Sequence, residues 1–330
     1  MTKKMNWAIL GTGKIANRFA AAINNIPEKA VLYAVGSRNQ DTADAFGDQY
    51  NISKRYKSYE EVAADPAVDI VYVGTPGAFH HRDVIMCLNN GKHVLCEKAF
   101  TTNSKEAKDL IDTAREKNLF LMEAMWTRFF PIHIKIREIL KEDVIGRVNG
   151  MVINFMATPP YDPKNRFFDV NLGASVLLDT GSYGISWAYS LLGKPDQVHG
   201  FADFGESGAD NQAAIMMKYK SGQLVSILSS QVSYDKKDAT IFGTNGNIVV
   251  HDPWYKPTTM TINRYNQDPE VITIPMNGYN GYEFEAMAVM DCIQAGKLES
   301  ETIPHAETLQ IMGTLDEIRN QWGFKFPSEM

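Results

Sequence analysis

The sequence predicts an α/β chain with an N-terminal doubly wound parallel sheet, followed by an α+β domain with a large, mostly antiparallel open sheet. Three observations support this prediction. Residues 7–10 form a short apolar strand that leads into a glycine turn and a helix start. Strand and helix patterns then alternate as far as residue 125, which is typical of parallel sheets. Beyond Arg147, β-rich segments recur with polar turns between them.

The glycine turn after the first strand is the strongest local signal. It reads Gly11-Thr12-Gly13-Lys14-Ile15-Ala16. In a dinucleotide-binding turn the first glycine allows a tight turn, and the second lets the backbone approach a pyrophosphate, which binds N–H groups at the start of the helix. Because glycine turns follow strands in many α/β proteins, the motif alone does not establish dinucleotide binding.

The end of the second strand indicates which dinucleotide binds. Residues 31–35 form that strand, and Gly36-Ser37-Arg38 follow it where the adenosine ribose is expected. An acidic residue there would bind the 2′-hydroxyl of NAD, whereas Ser37 and Arg38 can bind a 2′-phosphate. The pattern favours NADP, with NAD as the alternative. Two other interpretations of Arg38 stay open, a solvated loop charge and a group that stacks on adenine in either cofactor.

The remaining patterns complete two predicted domains. Residues 1–125 form a dinucleotide-binding Rossmann domain, and residues 126–330 form a domain for substrate binding and oligomerisation. The first contains predicted helices at 41–50, from a capped start at 58–61, from a turn at 74–77 to about 90, and at 103–117, with strands at 54–56, 68–73, 92–96 and 119–123. The second contains predicted strands at 150–157, 197–204, 213–219, 223–232, 239–242 and 247–250, and helices at about 175–192, 282–295 and 305–321. Asn245-Gly246 is a hairpin signal.

Composition excludes several classes of protein. The 330 residues carry a net charge of −6 and no basic stripe, so we expect no binding to nucleic acid. No apolar segment has the length of a membrane span, and only a brief apolar run follows Lys3 and Lys4, so we expect a cytoplasmic protein without a secretory signal. Three widely spaced cysteines suit neither a disulfide framework nor a zinc site. The scattered histidines lack metal-ligand spacing, and no metal site is predicted.

Three further segments carry reactive side chains and are expected to meet at the carboxyl ends of the first-domain strands. Lys98, after Glu97 at the end of a buried strand, can bind a substrate hydroxyl and lower the pKa of a neighbouring acid. Asp179 and Tyr183 are four residues apart and share a helix face. A nearby lysine charge would make the phenol of Tyr183 a usable proton acceptor. The aromatic segment 122–131 is the third, a candidate pocket wall.

Each segment also has a purely structural interpretation. Glu97-Lys98 could be an ordinary charge pair at a helix start, Tyr183 a core aromatic, and 122–131 a packed hinge. Met216, Met217 and Trp187 lie within regular elements and are predicted to serve packing.

In combination, these segments resemble the glucose-fructose oxidoreductase/inositol dehydrogenase (Gfo/Idh/MocA) family over nearly the whole chain. The matching motifs, in the family's order and spacing, are Gly11-Thr12-Gly13, Thr75-Pro76 with His80, Glu97-Lys98, Trp126-Thr127-Arg128-Phe129 and Leu178-Asp179-x-Gly181-x-Tyr183. The last two are most similar to the branch that holds dimeric dihydrodiol dehydrogenases and NADP-linked xylose dehydrogenases.

The resemblance implies a role for each matching residue. Lys98 and Tyr183 are the implied catalytic pair, Asp179 orients the substrate, and His80 lies beside the cofactor. The implied cofactor-binding set is Gly11, Thr12, Gly13, Lys14, Ile15, Ser37, Arg38, Thr75, Pro76, His80, Glu97, Lys98, Trp126 and Arg128. The sequence departs from the family pattern at two places, with Ala99 in place of the usual proline and Gly173-Ala174-Ser175 in place of a glycine run. These departures put the orientation of Lys98 and the identity of the substrate in doubt.

The expected function is that of an NADP-preferring dehydrogenase acting on CH–OH or CH–CH donors. It would move a hydride between nicotinamide and a secondary or hemiacetal alcohol carbon of a sugar, polyol or cyclic vicinal diol. The alternatives are a non-catalytic, cofactor-bound sensor or regulatory protein, and an aldose–aldose oxidoreductase with a tightly held cofactor. Because residues 214–219 and 224–228 place apolar side chains on both faces of the second sheet, a homodimer or a dimer of dimers through that sheet is also expected.

Overall fold

The computed structural model describes residues 4–330 and begins with a parallel sheet. Its strands are β1 (Met5–Leu10), β2 (Ala30–Gly36), β3 (Lys54–Tyr56), β4 (Ile70–Val73), β5 (His93–Glu97) and β6 (Leu121–Ala124). They pair in parallel in the order β3-β2-β1-β4-β5-β6, the order of a dinucleotide-binding sheet. All four residues of β4 are buried, as expected for a strand covered on both faces. The predicted Rossmann sheet is therefore confirmed.

Nine helices accompany the strands in the described part of the chain. They are α1 (Lys14–Asn24), α2 (Gln40–Tyr50), α3 (Tyr59–Ala64), α4 (His80–Asn89), α5 (Ser104–Glu116), α6 (Pro131–Lys141), α7 (Ser182–Leu192), α8 (Tyr282–Gln294) and α9 (His305–Trp322). Short polar side chains begin several of them. Ser58 accepts the Glu61 N–H at 3.2 Å, which confirms the predicted cap of α3, and Asn103 accepts the Glu106 N–H at 2.9 Å at the start of α5.

The second sheet has eight strands. They are β7 (Val148–Met156), β8 (Gln197–Phe204), β9 (Asp210–Lys218), β10 (Leu224–Ser230), β11 (Ala239–Gly243), β12 (Gly246–Val250), β13 (Thr259–Arg264) and β14 (Glu270–Thr273). Their order is β14-β13-β12-β11-β7-β10-β9-β8. The pair β7 and β10 is parallel and the other neighbours are antiparallel, so the predicted mostly antiparallel sheet is confirmed.

Helices cover one face of the second sheet. A Cβ atom on Gly184 of α7 would lie 2.9 Å from the side chain of Ile227 on β10, so the helix and strand pack closely because this residue is glycine. Met217 is buried on this face, whereas Met216 is 48% exposed on the other. The packing role predicted from the sequence is therefore confirmed for Met217 and wrong for Met216.

Three sequence predictions differ from the structure in detail. No helix was predicted between residues 126 and 147, but α6 forms there because Ile132, Ile136 and Ile139 are spaced as one buried helix stripe. The hairpin between β11 and β12 is present, yet Asn245 lies in its turn and Gly246 already begins β12. The helix predicted at 175–192 begins with a π-helical segment, Leu177–Gly181, before α7.

The chain divides into two compact units. The first unit extends to Trp126 and also contains Asn277–Leu309, and the second contains Thr127–Met276 and Gln310–Met330. The first unit thus includes a later segment of the chain, which contains α8. The predicted division at residues 125 and 126 did not include this segment in the first domain, and that division stays a prediction. Among the described residues, every helix is too short or too polar to cross a membrane.

Candidate active site

The turn after β1 has the geometry that a bound pyrophosphate requires. Gly11 has a φ of +97°, and a Cβ there would lie 3.2 Å from the Gly74 carbonyl oxygen. Gly13 precedes the first residue of α1, and no atom lies within 4 Å of the position that its Cβ would occupy. An open space above the N–H groups at the start of a helix fits an anionic diphosphate. The residues present therefore fit a dinucleotide.

The end of β2 carries the side chains predicted to recognise a 2′-phosphate. Ser37 is buried, and its hydroxyl lies 2.5 Å from that of Thr42. Arg38 is exposed. Burial raises the pKa of Tyr59, and the charges of Arg38 and Arg82 act in the opposite direction, so both arginines lie close to this phenol. Sequence analysis missed Arg82, which follows the matched His80 by two residues at the start of α4.

His80 joins the loops that follow β4 and β5. Its Nε2 lies 2.8 Å from the Thr75 carbonyl oxygen and its Nδ1 lies 3.0 Å from that of Ala99. Burial lowers the pKa of His80, and a neutral ring can donate to only one of these oxygens. The Thr75 hydroxyl in turn donates to the buried Asp83 at 2.7 Å. His80 thereby fixes the backbone directly after Lys98.

A buried acidic cluster lies beneath Lys98. The Tyr72 hydroxyl donates a short hydrogen bond to Glu97, and the Lys98 N–H donates to the other Glu97 oxygen at 3.2 Å. Glu285 on α8 is fully buried, and burial followed by the charge of Glu97 raises the pKa of Glu285 well above its usual value. Burial and the nearby Glu97 charge thus both favour the protonated form of Glu285. Sequence analysis missed Tyr72 and Glu285, whose separation along the chain gives no local signal.

Lys98 and Trp126 complete the first-unit set. Lys98 is half-buried, and the peptide bond that joins it to Ala99 is cis. Trp126 is buried and stacks on Tyr282 with ring centroids 4.2 Å apart. All of the predicted cofactor residues except Arg128 thus lie at or directly after the carboxyl ends of β1, β2, β4, β5 and β6, which is one edge of the sheet.

Asp179 and Tyr183 belong to the second unit. Asp179 lies in the π-helical segment, where its Oδ1 is 3.4 Å from Nη1 of Arg166. Tyr183 lies in the first turn of α7 and is 7% exposed. Its ring packs against Phe155 and Tyr255, with centroids 5.5 and 5.9 Å away. A π-helical turn widens the helix locally, and such turns are frequent at functional sites.

A cavity of about 260 Å³ opens beside Asp179. Its lining is Ala157, Thr158, Pro159, Phe167, Asp179, Thr180 and Gln231. The Gln231 side chain is fixed there, since its Nε2 donates to the Phe167 carbonyl at 3.0 Å and to Asn211 Oδ1 at 2.9 Å. The lining combines an aromatic side chain with a carboxylate, which suits a ring that carries hydroxyl groups. Sequence analysis missed Phe167 and Gln231, which lie in segments without regular structure.

Arg128 has a clear contact within the second unit. Its Nη1 donates to the carbonyl oxygen of Ser186 at 3.0 Å and lies 3.1 Å from the Ser186 hydroxyl, and the residue is 4% exposed. Arg128 therefore attaches the aromatic segment to α7, the helix that carries Tyr183. Its predicted role in cofactor binding stays a prediction.

Comparisons with known proteins agree on one family. The NAD-binding Rossmann-fold model of the GFO/IDH/MocA oxidoreductase family matches residues 5–125, and the model of the GFO/IDH/MocA C-terminal domain matches residues 133–249. The trans-1,2-dihydrobenzene-1,2-diol dehydrogenase of Xenopus laevis is 37% identical over 329 residues, which cover 97% of this chain and 99% of that protein. The D-xylose 1-dehydrogenase (NADP(+)) of Hypocrea jecorina is 31% identical over 364 residues, which cover 98% of this chain and 93% of that protein.

Solved structures with the same fold come from more distant proteins. A 3-ketoreductase from Actinomadura kijaniata, solved with NADP and TDP-benzene, has a TM-score of 0.88 at 22% identity and covers 96% of this chain and 98% of its own. Levoglucosan dehydrogenase, solved with NADH and levoglucosan, has a TM-score of 0.88 at 18% identity and covers 98% of this chain and all of its own. These two likenesses establish the fold.

Proposed function

We infer that this chain, which belongs to the GFO/IDH/MocA oxidoreductase family, is an NADP-preferring dehydrogenase of cyclic vicinal diols or sugars. The family membership confirms the resemblance found in the sequence and makes the protein an NAD(P)-dependent oxidoreductase. The observation that best supports the substrate class is the cavity beside Asp179. Its aromatic side chain and carboxylate suit a hydroxylated ring, and two relatives are dehydrogenases of a dihydrobenzene diol and of D-xylose.

Different side chains perform different steps of the proposed reaction. A dinucleotide held at the Gly11–Gly13 turn and the start of α1 would supply the hydride acceptor for this reaction. The Asp179 carboxylate accepts a hydrogen bond from one substrate hydroxyl and thereby orients the ring. The Tyr183 phenolate removes the proton from the hydroxyl whose carbon loses the hydride, and the positive charge of Lys98 favours that phenolate. The alcohol becomes a carbonyl, and the two electrons leave with the hydride.

A substrate panel tests this function. We propose to incubate the protein with NADP and a series of aldoses, polyols and cyclic vicinal diols at alkaline pH, and to follow the absorbance of the reduced cofactor. Turnover of a diol or a sugar is the expected result. If no compound in the panel is turned over although NADP still binds, the result would favour the sensor alternative. A cofactor that does not exchange with labelled NADP would instead favour the aldose–aldose oxidoreductase.

Arg38 is expected to determine the preference for NADP. A charge-assisted contact with a 2′-phosphate contributes roughly 1.5–3 kcal/mol, so Arg38→Ala should weaken NADP binding by roughly 10- to 150-fold and leave NAD binding nearly unchanged. Calorimetric titration of both cofactors measures this. Arg115→Ala is the matched control, because it removes an arginine from the last turn of α5 and not from the end of β2. Equal affinity of the unmodified protein for the two cofactors would refute the proposed preference.

We also propose a homodimer that forms through the open face of the second sheet. The exposed side of its central strands carries Val152, Met216, Leu224 and Leu228, each 38–52% exposed. Ser226 pairs with both Met216 and Val152, so two of these side chains belong to one row across neighbouring strands. Apolar side chains in such a row are typical of a surface that a second copy covers.

Light scattering tests the dimer. At micromolar concentration the protein should have at least twice the 37.0 kDa chain mass, and Leu228→Arg should shift it towards the monomer because a charge would be buried between copies. Val31→Arg, at a similarly exposed valine in the first sheet, is the control. A monomer at that concentration would defeat the proposal.

The three free cysteines favour a reducing compartment, and we propose the cytoplasm.

A further inference from the structure

The N-terminal end of the π-helical segment rests on a buried carboxyl group. Asp210, the first residue of β9, is 0% exposed, and its Oδ2 accepts the Leu177 N–H at 2.8 Å. Leu177 is the first residue of the segment that carries Asp179 and precedes Tyr183. The other carboxyl oxygen of Asp210 has no hydrogen bond within the described part of the chain. Burying a carboxyl group without a full set of hydrogen bonds costs free energy, so the presence of Asp210 at this position requires an explanation.

The Ser175 hydroxyl and the Arg319 guanidinium both act on Asp210. The Ser175 hydroxyl lies beside it and accepts the Leu178 N–H at 3.2 Å. From α9, the guanidinium of Arg319 also acts on Asp210, but Arg319 is itself paired with Asp316 and Glu329 at 2.7 Å each. The attraction from Arg319 is therefore largely offset by two nearby carboxylates. Burial raises the pKa of Asp210 to about 7, against the lowering effects of Ser175, the Leu177 N–H and Arg319.

We propose that Asp210 is a positioning residue, whose hydrogen bond to the Leu177 N–H fixes the π-helical turn and so sets the aim of Asp179 and Tyr183. This inference rests on the proposed function, because it assigns those two side chains to the substrate. Asp210 itself is not one of the residues that line the cavity. A carboxylate accepts an N–H bond more strongly than a carboxylic acid does. The turn is therefore held most firmly when Asp210 is ionised.

Ionisation of Asp210 links the proposed reaction to pH. Turnover should rise as pH passes through about 7, the pKa of this carboxyl group. Asp210→Asn keeps an oxygen acceptor of the same shape but cannot ionise. It should lower turnover at pH 8 by roughly 5- to 10-fold and remove this rise, while the affinity for NADP stays unchanged. Asp203→Asn, at an exposed position of β8, is the matched control and should retain the rise.

Ser175→Ala provides a second variant that keeps Asp210. The Ser175 hydroxyl favours the ionised carboxyl group, so its removal should move the rise in turnover to higher pH without removing it. This result is independent of whether Asp210→Asn folds. A pH profile that is the same in the unmodified protein and in both variants would overturn the proposal.

Hydrogen exchange supplies a measurement that does not need a substrate. The amide of Leu177 should exchange faster in Asp210→Asn than in the unmodified protein at pH 8, and the two rates should converge at pH 5 after correction for intrinsic exchange. If no substrate is turned over but exchange behaves in this way, the proposed function fails and the anchoring by Asp210 stands. Equal protection of Leu177 at pH 8 would overturn the anchoring itself.

Discussion

Lys98→Met and Tyr183→Phe are each expected to lower turnover by roughly 10²- to 10⁴-fold, the usual contribution of a positioned acid or base. Methionine keeps most of the length of Lys98 but removes the charge that is proposed to favour the phenolate. Phenylalanine keeps the ring that packs against Phe155 and Tyr255 but removes the proton acceptor. Turnover should be measured under conditions in which hydride transfer limits the rate, with the best substrate from the panel.

Binding and chemistry should separate in these two variants. The affinity for NADP should change little in Tyr183→Phe, because the pyrophosphate turn and Arg38 lie in the other compact unit. Lys105→Met and Tyr265→Phe, at exposed positions, are the matched controls and should retain turnover. If Tyr183→Phe turned over at a near-normal rate, Tyr183 would be a pocket or core aromatic, as one interpretation of the sequence allowed.

The first unit could be predicted well because its signals are local. A glycine turn after an apolar strand, a capped helix start at Ser58 and a fully apolar strand at 70–73 each determine structure within a few residues. The order of the strands then follows from the rules for parallel sheets, which bring their carboxyl ends to one edge. The support beneath Lys98 was not predictable in this way. Glu285 reaches Glu97 from 188 positions along the chain, and no periodicity indicates such a contact.

The second unit was predicted less fully, and for a physical reason. Periodicity identified β8 with its correct bounds but missed α6, where isoleucines at helical spacing also have high strand propensity. It also missed β13 and β14, which carry mixed polar residues at the edge of the sheet. The π-helical segment depends on Asp210, whose hydrogen bond to Leu177 spans 33 residues. A pattern of 3.6 residues per turn cannot anticipate that interruption.

Trp254→Ala is expected to cause a large loss of stability in the second unit. Trp254 is 0% exposed and stacks on Trp187, the residue predicted to serve packing, with ring centroids 5.1 Å apart. Its Nε1–H donates to the Asn154 carbonyl at 2.9 Å, and its own carbonyl accepts from Nε2 of His133 at 2.9 Å. Burial lowers the pKa of His133 to about 3, so this ring is neutral over the working pH range.

The expected cost of Trp254→Ala is roughly 3–5 kcal/mol, because a large cavity replaces an indole ring and the Asn154 carbonyl loses its donor. In a unit of this size the midpoint of thermal unfolding should fall by roughly 6–20 °C, measured by circular dichroism. Tyr265→Ala removes an aromatic ring that is 81% exposed in the turn after β13 and should shift the midpoint by no more than about 2 °C. Equal shifts in the two variants would mean that the aromatic cluster around Trp254 does not stabilise the unit. Because Phe155 contacts both Trp254 and Tyr183, the folded fraction of Trp254→Ala should also turn over more slowly than the unmodified protein.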